Sequence, residues 1–261
     1  MLEGFFGLFH RRALRKEEMV GYTDKLLTAN SPVRISESYG MIRTNLLYSG
    51  ICTDRCPIIG ITSGSPNEGK SLNCANLAIS FSLLGKRVLI LDGDMRNATQ
   101  QTVFDLRAEY GLSEYLSGQC EMPDILPTAY EGLSVVTGGK RPPNAGELLY
   151  NGKIAALLDA LKSRFDIIFF DLPPVGIISD AAVIAEHVDG YIIVVQVGHS
   201  EKRVLRNVLD TQKQLAEKLI GFMLNGVENH AGHGNSYNYY GYYDRYERPV
   251  AGASGDEEGK K

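Results

Sequence analysis

Short apolar runs of strand length alternate along this chain with longer segments whose apolar positions recur at helical spacing. Pro57–Thr62, Arg87–Leu91, Leu133–Thr137, Asp166–Phe170, Tyr191–Val197 and Leu219–Asn225 predict strands. Several are apolar at nearly every position, IIFF and YIIVVQV among them, which is the pattern of strands buried on both faces. Helices are predicted over Ser71–Leu84, Gly146–Ser163, Ser179–Glu186 and Ser200–Glu217. Another is predicted over Ser36–Ser49, ahead of the first strand, with Cys52–Arg55 as the turn out of it. Within Ser200–Glu217 the residues Val204, Leu205, Val208, Leu209, Gln212 and Leu215 repeat at helical spacing. Such alternation implies right-handed βαβ crossovers and an α/β fold: a mostly parallel sheet flanked by helices, with its chemistry at the carboxyl ends of the strands. After Val227 the pattern stops. Residues 228–261 are rich in Gly, Asn, Ser, Tyr and charge, and predict a flexible tail.

The run Gly64-Ser65-Pro66-Asn67-Glu68-Gly69-Lys70-Ser71 satisfies every fixed position of the phosphate-binding pattern G-x4-G-K-[S/T], and Leu72 follows it into a predicted helix. Glycines let the backbone curl so that its N–H groups face an anion. Lys70 adds a charge for the β- and γ-phosphates, the Ser71 hydroxyl can ligate Mg²⁺, and the helix directs its positive end at the same place. A magnesium–triphosphate site also needs carboxylates opposite the loop, because Mg²⁺ prefers hard oxygen ligands and keeps several waters. Two predicted strands supply them at their carboxyl ends: Arg87–Leu91 runs into Asp92-Gly93-Asp94-Met95-Arg96, and the IIFF strand into Asp171-Leu172-Pro173-Pro174. No Asn-Lys-x-Asp guanine-reading run is present, which favours ATP. Asn225, at the end of the last predicted strand, either faces the base or caps a turn.

Composition changes this picture little. A chain of 261 residues suits one large α/β domain, and a formal charge of -4 argues against a general nucleic-acid partner. Cys52, Cys56, Cys74 and Cys120 follow no disulfide-scaffold or zinc spacing and read as ordinary thiols of a reducing, cytoplasmic setting. No apolar run is long enough to span a bilayer. The first residues, MLEGFFGLFHRRALRKEE, put apolar positions before the basic ones, the reverse of a secretory signal. Residues 1–30 read as a separate segment that either rests on an anionic membrane or a partner through Phe5, Phe6, Leu8 and Phe9 beside Arg11, Arg12 and Arg15, or packs on its own domain or is disordered.

The phosphate loop, Asp-x-Asp-x-Arg and apolar strand-Asp-x-Pro-Pro, in this order, resemble the bacterial tyrosine kinases of capsule and exopolysaccharide synthesis, where they are the Walker A, A′ and B motifs. The likeness runs over roughly residues 30–228 plus the tail and extends to Pro142-Pro143-Asn144, Glu147-Leu148-Leu149, Ser179-Asp180-Ala181 and Gly221-Phe222-Met223-Leu224-Asn225. Cell-division and plasmid-partitioning ATPases share that architecture, but carry a further lysine where this chain has Ser65. The resemblance implies a kinase domain over residues 31–228 and a tyrosine-rich tail over 229–261 that accepts phosphate at Tyr237, Tyr239, Tyr240, Tyr242, Tyr243 and Tyr246. It implies ATP with Mg²⁺ on Ser71, Asp92 and Asp171, and Lys70 on the phosphates. Asp94 or Asp92 would take the tyrosine proton, while Arg96 would meet developing charge or form a structural ion pair. A tail of ten to twenty flexible residues reaches roughly 15 to 25 Å, enough to enter a neighbouring subunit's site.

Partners are implied as well: a separate transmembrane activator that recruits the kinase to the inner face of the membrane, a cognate phosphotyrosine phosphatase, and further copies in a ring. Ring assembly in the family uses Glu-x-x-Arg-x-x-Arg. Here the stretch Glu37 to Arg43 has Gly40 at the middle arginine, which removes one charged contact. The competing function classes are a nucleotide-switched ATPase that positions or segregates cargo, in which the tyrosines are incidental, and a non-enzymatic assembly module held together by ATP.

Overall fold

The computed structural model describes residues 22–52, 55–150, 152–176 and 187–227. Its centre is a seven-stranded sheet in the order β3-β4-β2-β5-β1-β6-β7. The strands are β1 (Ile58–Ser63), β2 (Val88–Asp92), β3 (Thr128–Tyr130), β4 (Leu133–Val136), β5 (Ile167–Asp171), β6 (Gly190–Gln196) and β7 (Leu219–Asn225). All pairings are parallel except β3 with β4. The described helices are α1 (Val33–Tyr48), α2 (Lys70–Ser82), α3 (Gln100–Val103), α4 (Leu112–Ser117), α5 (Ala145–Tyr150), α6 (Lys153–Lys162), α7 (Lys202–Thr211) and α8 (Lys213–Glu217).

The all-apolar strands divide their side chains between two cores, as the two-residue repeat of a strand requires. Ile58, Leu89, Leu91, Ile168 and Phe170 join the face covered by α4, α5, α6 and α7. Ile59, Ile61, Ile90, Ile167 and Phe169 join the face covered by α2 and α1. Phe169 meets Phe81 of α2 edge to face, with ring centroids 5.4 Å apart. Gly60 has no side chain because the Tyr191 ring fills its place; a Cβ there would lie 2.6 Å from that ring.

Six predicted strands are present to within about one residue at each end. The seventh, β3, is a three-residue antiparallel edge turned back through Gly132 at φ +76°. It is too short to carry a period. Two predicted helices divide. Gly146–Ser163 becomes α5 and α6, the second entered through Gly152 at φ +74°. Ser200–Glu217 becomes α7 and α8, broken at Gln212, whose side chain turns inward to donate to the Val175 carbonyl at 2.8 Å. Helix α1 starts three residues earlier than expected, directly after Pro32. Ser179–Glu186, part of the Cys52–Arg55 turn, the first 21 residues and the tail lie outside the described residues.

The chain just before α1 belongs to the folded body. Leu26 and Leu27 are buried in the α2-side core. Asn76 of α2 accepts the Leu27 N–H at 2.8 Å and donates to the Lys25 carbonyl at 3.0 Å. Among the described residues no helix is long and apolar enough to cross a membrane. All four cysteines are free.

Replacing Phe169 by Ala should remove both its burial and the ring contact, lowering the unfolding free energy by about 3–5 kcal/mol. Chemical denaturation followed by circular dichroism measures this, and Phe169→Leu should cost clearly less.

Candidate active site

Strand register alone gathers the motif residues. Asp92, the last residue of β2, pairs with Asp171, the last of β5. On its other side Asp171 pairs with Ile61 of β1, just before the phosphate loop. The loop then opens α2, whose first residue is Lys70. Gly69 precedes it at φ +85°, a conformation that favours glycine, and a Cβ there would collide with the Asn225 amide.

The Lys70 ammonium lies among oxygens: 3.0 Å from Asp94 Oδ2, 3.2 Å from Asp171 Oδ1 and 3.1 Å from Ser71 Oγ. All four side chains are buried. Burial opposes the lysine charge, but Asp171, Asp94 and Asp92 outweigh it and hold the ammonium above its ordinary range. Asp92 is fully buried; burial first, then the neighbouring Asp171, pushes its carboxyl up to about 8, against Lys70 and the Gln100 N–H. Asp92 accepts the backbone N–H groups of Thr99 and Gln100 on Oδ2 and of Asp94 on Oδ1. It thus ties down the segment from Asp94 to Gln100. Asp94 accepts the Asn97 N–H on its other oxygen. Arg96 is exposed.

The loop itself is fastened from several sides. Ser63 donates to the Ser65 carbonyl at 2.7 Å, and the Ser65 N–H donates to Glu68 Oε2 at 3.1 Å. Gly64 is buried at the loop's start, with Leu205 of α7 against it. Glu68 is buried as well, and Ser200, beyond β6, donates to its Oε1 at 2.5 Å. Asn225 donates to the Glu68 carbonyl at 3.1 Å and so fastens the loop from the end of β7. Pro66 and Asn67 form the exposed tip, with Asn67 at φ 63°. Leu72 packs against the α2-side core.

Three contributors carry no motif signal. Ser200 lies 132 residues from Glu68, and only the sheet order brings them together. Asn73, one turn after Lys70, donates to the Gly69 carbonyl at 2.9 Å and accepts the Tyr39 hydroxyl of α1 at 2.9 Å. Gln100 donates to Asp171 Oδ2 and to the Ser71 carbonyl. A polar residue eight positions after an aspartate gives a reader nothing to fix on. On α1, Glu37 is exposed, whereas Arg43 donates to the Ser80 carbonyl of α2 at 2.6 Å.

Among the described residues no group of three or more His, Cys, Asp and Glu side chains is arranged to hold a metal by itself. The oxygens of Ser71, Asp171 and Asp94 nevertheless converge on one positive charge, here that of Lys70. Hard oxygens from a hydroxyl and a few carboxylates fit Mg²⁺ that draws its remaining ligands from phosphate and water.

A family model described as an AAA domain matches residues 57–223, from β1 into β7. The tyrosine-protein kinase CpsD of Streptococcus agalactiae is 36% identical over 196 residues, 74% of this chain and 83% of that protein. The chain belongs to the bacterial tyrosine-protein kinases. The kinase domain of the Escherichia coli tyrosine kinase ETK superposes on this kinase with a TM-score of 0.71 at 30% identity, covering 78% of this chain and 80% of that one. The septum site-determining protein MinD of Pyrococcus horikoshii, solved with Mg-ADP, has a TM-score of 0.56 at 24% identity over 65% of this chain and 70% of that one. This second likeness shows the shared P-loop fold that the kinase has in common with cell-division ATPases.

Asn225→Ala should loosen the loop at Glu68. Loss of a hydrogen bond of this kind, about 1 kcal/mol, predicts roughly a fivefold rise in the ADP dissociation constant. Isothermal titration calorimetry of the variant checks it.

Proposed function

We propose that this kinase transfers the γ-phosphate of ATP to protein tyrosine, in trans within an oligomer. Its own cluster Tyr237, Tyr239, Tyr240, Tyr242, Tyr243 and Tyr246 is the acceptor, and the modification regulates capsular or extracellular polysaccharide synthesis and export. The observation that carries the reading is the convergence of Lys70, Ser71, Asp94 and Asp171 at the mouth of a phosphate loop. The tail tyrosines lie outside the described residues, and the motif resemblance supports their part. A separate transmembrane activator, a cognate phosphatase and ring assembly through the Glu37–Arg43 helix belong to the same reading.

On nucleotide binding, Lys70 leaves Asp94 and Asp171 for the β- and γ-phosphates, and the N–H groups of the loop close on the same anion. Ser71 and Asp171 would hold Mg²⁺, which would neutralise phosphate charge and align the γ-phosphoryl group. Asp92, both of whose oxygens accept backbone N–H groups, acts by holding the segment that carries Asp94. Asp94, relieved of Lys70, is then the better candidate to accept the proton of the tyrosine hydroxyl. The tyrosine oxygen bonds to the γ-phosphorus, the bond to the β-phosphate oxygen breaks, and ADP leaves. Arg96, exposed beside this segment, meets the developing charge.

The test is incubation with γ-labelled ATP and Mg²⁺, with and without the membrane activator, followed by mapping of the label. Label on Tyr237–Tyr246 is expected, reduced on the order of 10²-fold or more in Lys70→Met. Release of free phosphate with no label on protein, activator present, would support the cargo-positioning ATPase instead. Lys70→Met also strips the buried carboxylates of their counter-charge, so its melting temperature must be compared with that of Lys70→Arg.

For assembly, Glu37→Ala should shift the chain from oligomer toward monomer in light scattering while leaving nucleotide affinity unchanged. Glu37 is exposed and makes the cleaner test; Arg43→Ala would also disturb the contact with Ser80.

A further inference from the structure

Gln100 belongs to no motif, yet it touches all three. It is fully buried. Its side-chain amide donates to Asp171 Oδ2 at 2.7 Å and to the Ser71 carbonyl at 3.0 Å, and its backbone N–H donates to Asp92 Oδ2 at 2.9 Å. The orientation of the amide is set by chemistry: rotated, it would aim its oxygen at a carboxylate and a carbonyl, acceptor against acceptor. Among the described residues the buried amide oxygen has no hydrogen-bond partner.

The two oxygens of Asp171 divide their work. Oδ2 is taken by Gln100, and Oδ1 faces the Lys70 ammonium, the cation in this site. Without the amide, nothing among the hydrogen bonds described fixes which oxygen of Asp171 is turned to the cation. The contact with the Ser71 carbonyl anchors the same helical turn whose hydroxyl faces that cation. The unmet amide oxygen matches the hydrogens of metal-bound water, which has only donors to offer.

We propose that Gln100 is a positioning residue for the metal–nucleotide complex: it holds Asp171 Oδ2 so that Oδ1 is presented to the cation. The inference rests on the metal–nucleotide reading of the site, and the experiment separates the two. Mn²⁺ serves as the metal probe, followed by electron paramagnetic resonance in the full chain with saturating ADP, for the wild type, Gln100→Met and Gln100→Glu. ADP affinity in EDTA and nucleotide-free melting temperature are measured alongside. Both variants should bind Mn²⁺ about 10- to 100-fold more weakly in the ADP complex, with ADP affinity in EDTA within about twofold of wild type. Methionine keeps the volume but donates nothing; glutamate keeps the shape but sets a second carboxyl against Asp171.

Wild-type Mn²⁺ affinity in either variant would overturn the proposal. So would a loss of ADP binding in EDTA that parallels the loss of metal, or failure of both variants to fold, because either marks a purely structural residue. If the wild type itself shows no saturable Mn²⁺ binding with ADP, the metal–nucleotide reading fails and the proposal falls with it.

Discussion

One lysine and three carboxylates are enclosed where the central strands end, and much of the surrounding structure serves to keep them there. An ionised group taken out of water loses hydration that only nearby opposite charge and directed hydrogen bonds can replace. Lys70 has Asp94 and Asp171 in contact, and Asp92 has three backbone N–H groups. Even with Asp92 pushed toward its neutral form by burial, the two carboxylates in contact with Lys70 outnumber the cation. An enclosure with this imbalance attracts further positive charge, and phosphates that drew the lysine away would increase that demand. On the proposed reading, metal and nucleotide would therefore be linked through the electrostatics of the enclosure.

Sheet topology explains why these groups meet. β1 leads by way of α2 to β2, which leaves a gap that β5 later fills between them. Inserting β5 places Asp171 beside Asp92 on one side and beside the strand that feeds the phosphate loop on the other. Both flanking strands are apolar until the ends that carry Thr62, Ser63 and Asp92, and the two cores fix the register of β5, because a shift of one residue would exchange the faces of Phe169 and Phe170. Core packing and site geometry are thus one constraint. Distortion of β5 would displace Asp171 as directly as a substitution within the loop.

What could be read from the sequence followed the range of each signal. The phosphate loop is local and its geometry is dictated by its glycines, so Gly64 to Ser71 could be recognised at once. Asp92, Asp94 and Asp171 could be placed because each ends or follows an apolar strand. The breaks at Gly152 and Gln212 were hidden because the apolar spacing continues across them; only the left-handed backbone at Gly152 and the inward turn of Gln212 end the helices. Ser200, Asn73 and Gln100 could not be read at all. Each is a common polar residue whose role comes from a partner that tertiary structure alone selects. Arg43 gives a related lesson: the resemblance assigns it to assembly, while within the single chain it donates to the Ser80 carbonyl.

The contact of Asn76 with the stretch before α1 also bears on where this kinase can be cut. Its amide uses its oxygen on the Leu27 N–H and its nitrogen on the Lys25 carbonyl, while Leu26 and Leu27 fill the core beside it. A fragment beginning at residue 31, where the recognisable motifs would suggest trimming, would leave a buried amide facing an opened crevice on the helix that carries Lys70. A piece that keeps these contacts starts upstream of residue 25, among residues whose sequence gives no hint of belonging to a catalytic domain.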